Sequence, residues 1–191
     1  IYGSKRMHKR PISVLVKSLK DIGAEIEYLE NSGFPPLRII GQNLQSKKLK
    51  IDSSISSQFI SAIILISPKI EGGLEIEMTG KDTSLPYIEM TIDLLKKIGV
   101  SASFQKNIIS IGQKDKINSI EITVEPDWSS ASYFYSIVSL ADIGYSLELS
   151  NFKSYSIQGD KRVSIIFEQF GVKTTFLDES IRLEKIAKSE K

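Results

Sequence analysis

One short phrase occurs three times in this chain, at long intervals. It reads Leu19–Ala24, Leu95–Val100 and Phe167–Val172, and each copy is the end of a helical pattern, a glycine and the start of a β-rich stretch. Glycine directly after a helix is a common C-cap, because it enters the left-handed conformation at little cost. A second phrase, in which an acidic residue and serines open an apolar helix, occurs at Asp52–Ile66 and at Asp127–Leu140. Such repetition predicts a fold assembled from similar units.

Each expected unit combines a strand, a helix, a strand pair, a further strand and a further helix. Because sheet and helix recur in every unit, the predicted fold class is α/β (α+β), with both contributing to a common core. Besides the serine-rich helix, apolar periodicity predicts helices at Pro11–Ile22, Tyr87–Ile98, Ala131–Leu140 and Arg162–Phe170. Alternating patterns predict strands at Ala24–Leu29, Leu37–Ile40, Leu49–Ile51, Leu74–Met78, Ser101–Phe104, Ile108–Ile111, Ile120–Val124, Ser146–Leu149, Lys173–Phe176 and Ile181–Leu183.

The serine-rich helix is the first candidate for a binding site. Its N-cap is expected among Asp52, Ser53 and Ser54, and Pro68 is expected to end it. A helix start carries unpaired backbone N–H groups and partial positive charge, which favour an oxyanion such as a phosphate monoester. The stretch from Ser56 to Gln58 would add side-chain donors. The alternative is a serine-rich cap on a core helix, with no ligand.

Composition excludes several classes of function. The 191 residues are 41% hydrophobic and 25% charged, as in an ordinary globular protein, and the net charge of +2 gives no electrostatic argument for a nucleic-acid partner. The sequence has no cysteine and one histidine, so a disulfide scaffold, a thiolate metal site, a cysteine nucleophile and a histidine-based metal cluster are excluded within it. Absence of cysteine is compatible with the cytoplasm, which is the expected location.

Nothing in the sequence predicts a membrane span or a secretory signal. The longest apolar run, Ala62–Ile66, is far shorter than the roughly 20 residues that a spanning helix needs. The chain begins at Ile1 in a polar, basic segment that lacks an apolar signal region. Because the first residue is not methionine, we expect the sequence to be part of a longer protein.

A set of short motifs gives the sequence a family resemblance. They follow one another along essentially the whole chain: Arg10-Pro11-Ile12, Pro35-Pro36-Leu37, Ser56-Ser57-Gln58-Phe59, Ser84-Leu85-Pro86-Tyr87-Ile88, Glu125-Pro126-Asp127 with Ser129–Tyr133, and Gln158-Gly159-Asp160. In these residues and in this order the chain resembles the enolpyruvyl transferases, and within that family the branch that acts on shikimate 3-phosphate.

The resemblance implies a particular architecture. The family fold has two similar halves, each of three βαβαββ units, in a two-domain inside-out α/β barrel arrangement that is only partly represented here. Residues 1–124 would be two repeat units of the first half, which binds shikimate 3-phosphate, and residues 125–191 would open the second half.

The resemblance also implies a reaction and its ligands. The family transfers the enolpyruvyl group of phosphoenolpyruvate to the 5-hydroxyl of shikimate 3-phosphate and releases phosphate, without a metal or an organic cofactor. No nucleic acid or membrane is involved, and the complete enzyme is expected to be a monomer. The implied ligand residues are Ser56, Ser57, Gln58, Ser84 and Tyr87 for shikimate 3-phosphate, and Arg10 and Gln58 for phosphoenolpyruvate. No catalytic acid or base is identified in the chain, so this chain alone is expected to be inactive.

Each of these assignments has a simpler alternative. Arg10 could belong to a solvated basic face, Ser84 could cap the helix that follows it, and Tyr87 could be a core residue. Asp127 is expected to cap a helix, and Trp128 to pack. The following Pro11-Ile12 favours a ligand role for Arg10, whereas the alternatives for Ser84 and Tyr87 are left open.

Two other functions remain possible from the sequence. One is the UDP-N-acetylglucosamine enolpyruvyl transferase of the same fold, although the serine motifs fit the shikimate branch better. The other is a non-catalytic anion-binding module that uses the basic segment Lys5–Arg10.

Overall fold

The computed structural model describes residues 1–54, 57–80 and 84–188, and the chain divides into two compact units, Ile1–Ile120 and Glu121–Lys191. The first unit contains helices α1 (Ser13–Asp21), α2 (Ser57–Ile66) and α3 (Leu85–Lys97), and strands β1 (Glu25–Tyr28), β2 (Leu37–Ile40), β3 (Lys48–Asp52), β4 (Leu74–Thr79), β5 (Ala102–Gln105) and β6 (Ile108–Ile111). The second contains helices α4 (Trp128–Leu140) and α5 (Val163–Ile166), and strands β7 (Ser146–Ser150), β8 (Val172–Phe176) and β9 (Ser180–Lys185). Short 3-10 helices lie at Met7–Lys9, Ser67–Lys69, Gly159–Arg162 and Phe167–Phe170.

The first unit contains a complete βαβαββ arrangement, running from β3 to β6. Its sheet has the order β3-β4-β6-β5, in which β3 and β4 are parallel and β6 is antiparallel to both of its neighbours. Strand β4 shows why the chain is a strand here, because Leu74, Ile76 and Met78 are buried in strict alternation. This mixture of helices and sheets confirms the predicted fold class.

Isoleucine dominates the core between this sheet and helices α2 and α3. In α2, Ile60, Ile63 and Ile64 have no exposed surface, and in α3 Ile88 and Ile92 are buried against the same cluster. These positions recur at helical spacing, so each helix turns one apolar face to the sheet. The opposite faces of the two helices are left for the cleft described below.

Helix α1 and the β1–β2 hairpin form a smaller core around Val16, Ile26 and Leu37. The hairpin is antiparallel, with Glu25 opposite Ile40 and Tyr28 opposite Leu37. This arrangement corresponds to the tail of a repeat, in which a helix is followed by a glycine and two strands.

The second unit packs α4 against an antiparallel sheet of order β7-β9-β8. Trp128 and Tyr135 of α4 are fully buried, and the Trp128 ring meets Phe152 edge to face with 5.0 Å between centroids. Asp127 caps α4 as predicted, since its carboxylate accepts a hydrogen bond from the Ser129 N–H at 2.9 Å. The predicted packing role of Trp128 is confirmed.

Two predicted elements are wrong. Residues 120–124 form no strand, and Ile120, Ile122 and Val124 are 49%, 38% and 84% exposed. An alternating pattern becomes a strand only when a neighbouring strand pairs with it, and none does so among the described residues. The helix predicted at Arg162–Phe170 is instead one turn of α-helix between two 3-10 turns.

The other predicted helices are displaced at their ends by only a few residues. The predicted domain boundary after Val124 lies close to the observed division after Ile120. The assignment of the two units to halves of a larger protein stays a prediction. No described helix has both the length and the apolar character required to cross a membrane.

Candidate functional site

The site begins where the two parallel strands of the first unit end. Asp52 of β3 lies opposite Thr79 of β4, so the chain leaves both strands at the same edge of the sheet. Both the N–H and the Oγ of Ser53 contact the Thr79 carbonyl oxygen at 2.9 Å, which holds the two strand ends together. Connections at the carboxyl edge of parallel strands are the usual location of ligand sites in α/β sheets.

Ser54, Ser84 and the facing sides of α2 and α3 line a cleft of about 780 Å³ at this edge. The described residues that line it are Ser54, Ser57, Gln58, Ser61, Ala62, Leu65, Ser84, Tyr87, Met90 and Thr91. Four of the residues proposed as ligands therefore lie around one cavity: Ser57 and Gln58 in α2, Ser84 directly before α3, and Tyr87 within α3. Ser56, the fifth, lies outside the described residues.

Ser57 and Gln58 form the α2 wall of the cleft. The structure describes this helix from Ser57 onward, and the residue that caps it stays a prediction. Ser57 is 7% exposed while lining the cleft, whereas Gln58 is exposed. Both stand in the first described turn, where backbone N–H groups and the helix dipole favour an anion.

Ser84 and Tyr87 form the α3 wall. Ser84 precedes the helix with φ 58° and ψ 37°, and its side chain makes no capping hydrogen bond. A left-handed backbone is unusual for serine and costs free energy, so the simple alternative of a capping residue does not explain its position. Tyr87 is 44% exposed, which argues against the alternative that it belongs to the core.

Ser54 is held at the rim by an aspartate that the sequence analysis considered only as a helix cap. The N–H and Oγ of Ser54 both donate to Asp52 Oδ1, at 2.9 and 2.6 Å, and the Ser54 hydroxyl and N–H lower the pKa of the Asp52 carboxyl. Gly80 approaches from β4 with φ +84°, and a Cβ there would lie 2.6 Å from the same oxygen. This corner therefore requires glycine.

Ser61 and Thr91 also line the cleft and were not predicted. Their hydroxyl oxygens are 3.1 Å apart, joining α2 to α3. A signal for them existed in the sequence, because Ser61 follows Ser57, and Thr91 follows Tyr87, by one helical turn. Spacing alone did not reveal that the two helices face each other.

The described lining is uncharged and combines polar with apolar side chains. It contains hydroxyl and amide side chains together with Ala62, Leu65 and Met90, and no lysine, arginine or carboxylate. Arg10 is exposed at the end of the 3-10 turn Met7–Lys9, where its N–H donates to the Met7 carbonyl at 3.0 Å. It is not part of this lining. Within the described ranges, no three acidic or histidine side chains converge in a group that could hold a metal.

A second group of polar motif residues meets in the other unit. Gln158 Oε1 accepts from the Trp128 N–H at 3.1 Å, and Gln158 Nε2 donates to the Pro126 carbonyl at 2.9 Å and to Glu125 at 3.2 Å. Ser129 Oγ donates to Asp160 at 2.8 Å. These bonds fasten the chain before α4 to the turn after residue 157, and they account for the Glu125–Asp127 and Gln158–Asp160 motifs as structural.

Comparison with known proteins agrees with this arrangement. The family model described as EPSP synthase (3-phosphoshikimate 1-carboxyvinyltransferase) matches residues 1–190. The chain belongs to the EPSP synthase family. The resemblance proposed from the sequence motifs is thereby confirmed.

Members of the EPSP synthase family from bacteria are close in sequence. The 3-phosphoshikimate 1-carboxyvinyltransferase of Bacteroides fragilis (strain YCH46) is 40% identical over 185 residues, which are 97% of this chain and 45% of that protein. The enzyme of the same name from Histophilus somni (strain 2336) is 39% identical, over 96% of this chain and 42% of that protein. The chain thus spans less than half the length of these relatives.

Solved structures share the fold. EPSP synthase from Acinetobacter baumannii superposes with a TM-score of 0.77 at 23% identity, covering 97% of this chain and 42% of that one. The enolpyruvyl transferase NikO from Streptomyces tendae has a TM-score of 0.65 at 14% identity, covering 93% and 43%. At these identities the likeness concerns the fold alone.

Proposed function

We propose that this chain provides a shikimate 3-phosphate-binding site for enolpyruvyl transfer. In that reaction the 5-hydroxyl of shikimate 3-phosphate takes the enolpyruvyl group of phosphoenolpyruvate, and phosphate is released. The observation that carries the proposal is the meeting of Ser57, Gln58, Ser84 and Tyr87 around one cleft. The names of the sequence relatives support the choice of substrate.

The chemistry of the cleft suits this substrate. Hydroxyl groups of Ser57 and Ser84 can donate to phosphate oxygens, and a helix start adds backbone donors and positive potential. Gln58 offers an amide for both donation and acceptance, and the exposed ring of Tyr87 offers a flat apolar surface for the cyclohexene ring. Together with Ser56, whose role rests on the family resemblance, these residues bind and orient the substrate.

The contribution of this chain to catalysis is positioning. Proton transfer needs an acid or a base within hydrogen-bond reach of the reacting atoms. The described cleft lining offers no carboxylate, imidazole or amine for that task. We therefore assign substrate binding, and no proton transfer, to the described lining of the cleft.

Arg10 is proposed as a ligand of phosphoenolpyruvate on the family resemblance alone, together with Gln58. Its guanidinium is exposed and can meet a carboxylate or a phosphate in two places. The test is phosphoenolpyruvate binding by Arg10→Lys, with Lys9→Gln as the neighbouring control. Weakened binding in the first variant alone supports the assignment, and equal weakening in both contradicts it.

We also expect the complete enzyme to be a cytoplasmic monomer that acts on small molecules. The net charge of +2 and the absence of cysteine are compatible with this view. Size-exclusion chromatography with light scattering measures the oligomeric state directly.

The decisive experiment is titration of the chain with shikimate 3-phosphate, followed by NMR amide shifts and by calorimetry. We expect saturable binding that shifts the amide signals of Ser57, Gln58, Ser84 and Tyr87. Ser57→Ala should bind about ten- to one-hundred-fold more weakly, since a hydrogen bond to a charged group is lost. Ser67→Ala is the matched control, because Ser67 is a buried serine that donates to the Ile63 carbonyl outside the cleft.

Two parallel titrations separate the competing functions. Tighter binding of UDP-N-acetylglucosamine would favour the other enolpyruvyl transferase. Binding of a short oligonucleotide that shifts only the amide signals of the segment Lys5–Arg10 would favour an anion-binding module. The proposal is wrong if shikimate 3-phosphate does not change the amide signals of the cleft residues.

A further inference from the structure

The two walls of the cleft are joined by a pair of hydroxyl groups. Thr91 Oγ1 lies 3.1 Å from Ser61 Oγ and 2.8 Å from the Tyr87 carbonyl oxygen. The Thr91 hydroxyl is the donor to both, so its one proton is shared between the Ser61 Oγ and the Tyr87 carbonyl oxygen. The Thr91 hydroxyl therefore links Ser61 of α2 to the backbone of Tyr87 in α3.

Its position connects the groups that are proposed to bind substrate. Ser61 lies one turn along α2 from Ser57, and Thr91 lies one turn along α3 from Tyr87. Thr91 is 7% exposed although it lines the cleft. A hydrogen bond inside a packed region has a narrow range of lengths and angles, whereas apolar contacts between helices tolerate sliding.

We infer that Ser61 and Thr91 are positioning residues that set the spacing of the two walls, so that donors from α2 and α3 reach the same substrate molecule. This inference rests on the proposed function. Neither residue needs to touch the substrate: the pair acts through Ser57 and Gln58 on one side and through Ser84 and Tyr87 on the other. A small misplacement of such donors weakens a site strongly, because each hydrogen bond depends on geometry.

Thr91→Val tests the inference, because it removes the hydroxyl and keeps the branched shape. We expect the dissociation constant for shikimate 3-phosphate to rise about ten-fold, which lies within the range of coupling between residues of one network. Thr91→Ser keeps the hydroxyl and should restore affinity to about two-fold of the original value. A residue that only stabilised the fold would change the unfolding midpoint without this pattern.

Ser67→Ala again provides the matched control. Its hydroxyl, like that of Thr91, donates to a carbonyl one turn earlier in the chain, but it lies outside the cleft lining. The control should lower the unfolding midpoint in urea and leave the affinity unchanged. Unchanged affinity in Thr91→Val, or equal loss in Ser67→Ala, would overturn the positioning role.

A double-variant cycle and a ligand-free measurement complete the test. Ser61→Ala with Thr91→Val should weaken binding no more than Thr91→Val alone, and fully additive losses would contradict the inference. Without ligand, Thr91→Val should shift the amide signals of Ser57 and Gln58 across the cleft. Shifts confined to α3 would overturn the inference. Failure of the original chain to bind shikimate 3-phosphate would contradict the proposed function instead. The amide shifts measured without ligand would still test whether Ser61 and Thr91 couple the two walls.

Discussion

At the scale of single residues, identical side chains have different tasks in this protein. Ser53 and Ser67 are buried and donate to backbone carbonyls, so they stabilise the ends of a strand and a helix. Ser84 makes no capping hydrogen bond and occupies a left-handed backbone conformation that glycine would adopt more easily. This residue accepts a strained backbone and provides a hydroxyl to the cleft.

Ser84→Gly should therefore separate stability from binding. Relief of the left-handed strain should leave the free energy of unfolding unchanged or raise it by about 1 kcal/mol. Loss of the hydroxyl should weaken shikimate 3-phosphate binding by about ten-fold or more. Urea unfolding and calorimetric titration measure the two effects.

Lys106→Gly is the control for this substitution. Lys106 has a φ of 56° in the β5–β6 turn and lies away from the cleft lining. It should show the same relief of strain with no change in affinity. A loss of stability in Ser84→Gly, without loss of binding, would identify Ser84 as a structural residue.

Because of Tyr135, the stability of the second unit should depend on pH in the alkaline range. Burial raises the pKa of its phenol from 10.0 to about 12, despite a 2.8 Å hydrogen bond with Thr174. The unfolded chain loses this proton first, so the stability is fully present below pH 10 and falls as pH rises toward 12. Unfolding followed by fluorescence should show this fall, and Tyr135→Phe should make it shallower. An equally steep fall in Tyr135→Phe would exclude Tyr135 as the cause.

At the scale of elements, helix ends are held by specific partners. Asp127 begins α4, and Lys185 of β9 reaches the end of the same helix. The Lys185 side chain is 4% exposed, and its Nζ donates to the Ser139 carbonyl at 2.8 Å and to the Phe170 carbonyl at 2.6 Å. A cation beside helix C-terminal carbonyls is favourable, so one lysine stabilises two helical ends.

Lys185→Met should destabilise the second unit by about 1–3 kcal/mol, because the Ser139 and Phe170 carbonyl groups lose a charged donor. Urea unfolding followed by Trp128 fluorescence reports on this unit. Lys173→Met is the control, since Lys173 is exposed on the neighbouring strand β8, and it should change stability by about 0.5 kcal/mol or less. Equal changes in stability for the two substitutions would show that the hydrogen bonds from Lys185 to Ser139 and Phe170 do not stabilise the unit.

At the scale of the whole molecule, the described cleft lies entirely within the first unit. Its sheet, its two helices and its isoleucine core belong to that unit as well. The family relatives are more than twice as long as this chain, since the aligned residues cover 42–45% of them. We therefore expect this chain to bind shikimate 3-phosphate without catalysing its conversion.

Residues 1–120 alone should bind shikimate 3-phosphate with an affinity within about three-fold of that of the 191-residue chain. Residues 121–191 alone should not bind it. Each unit buries its own apolar cluster, which supports separate folding. Circular dichroism establishes that each piece is folded, and calorimetry measures binding. Binding of shikimate 3-phosphate by residues 121–191 would contradict the assignment of the site to the first unit.

The 191-residue chain should fold cooperatively and show no turnover. Incubation with shikimate 3-phosphate and phosphoenolpyruvate should release no phosphate, because the described lining has no group for proton transfer. A colorimetric phosphate assay checks this, with a complete family enzyme as the positive control. Steady turnover would show that catalytic groups lie within this chain and would contradict the role assigned to it.

Much of the local structure was determined by the sequence alone. Glycines follow the helical stretches at positions 23, 99 and 171 with φ of +103°, +78° and +70°, as expected for C-caps. The alternation in β4 and the Asp127 cap were also predicted correctly. These features depend on interactions between residues close together in the chain, which the order of residues reveals directly.

Only the tertiary structure decided how those elements meet. The apolar alternation at Ile120–Val124 was sufficient to predict a strand, but no neighbouring strand pairs with it among the described residues. Conversely, Ser54, Ser61 and Thr91 entered the cleft without having been predicted as ligands. Parallel pairing of β3 and β4 brings the starts of α2 and α3 to one edge of the sheet. Pairing and cleft formation depend on contacts between distant parts of the chain, which local sequence patterns do not specify.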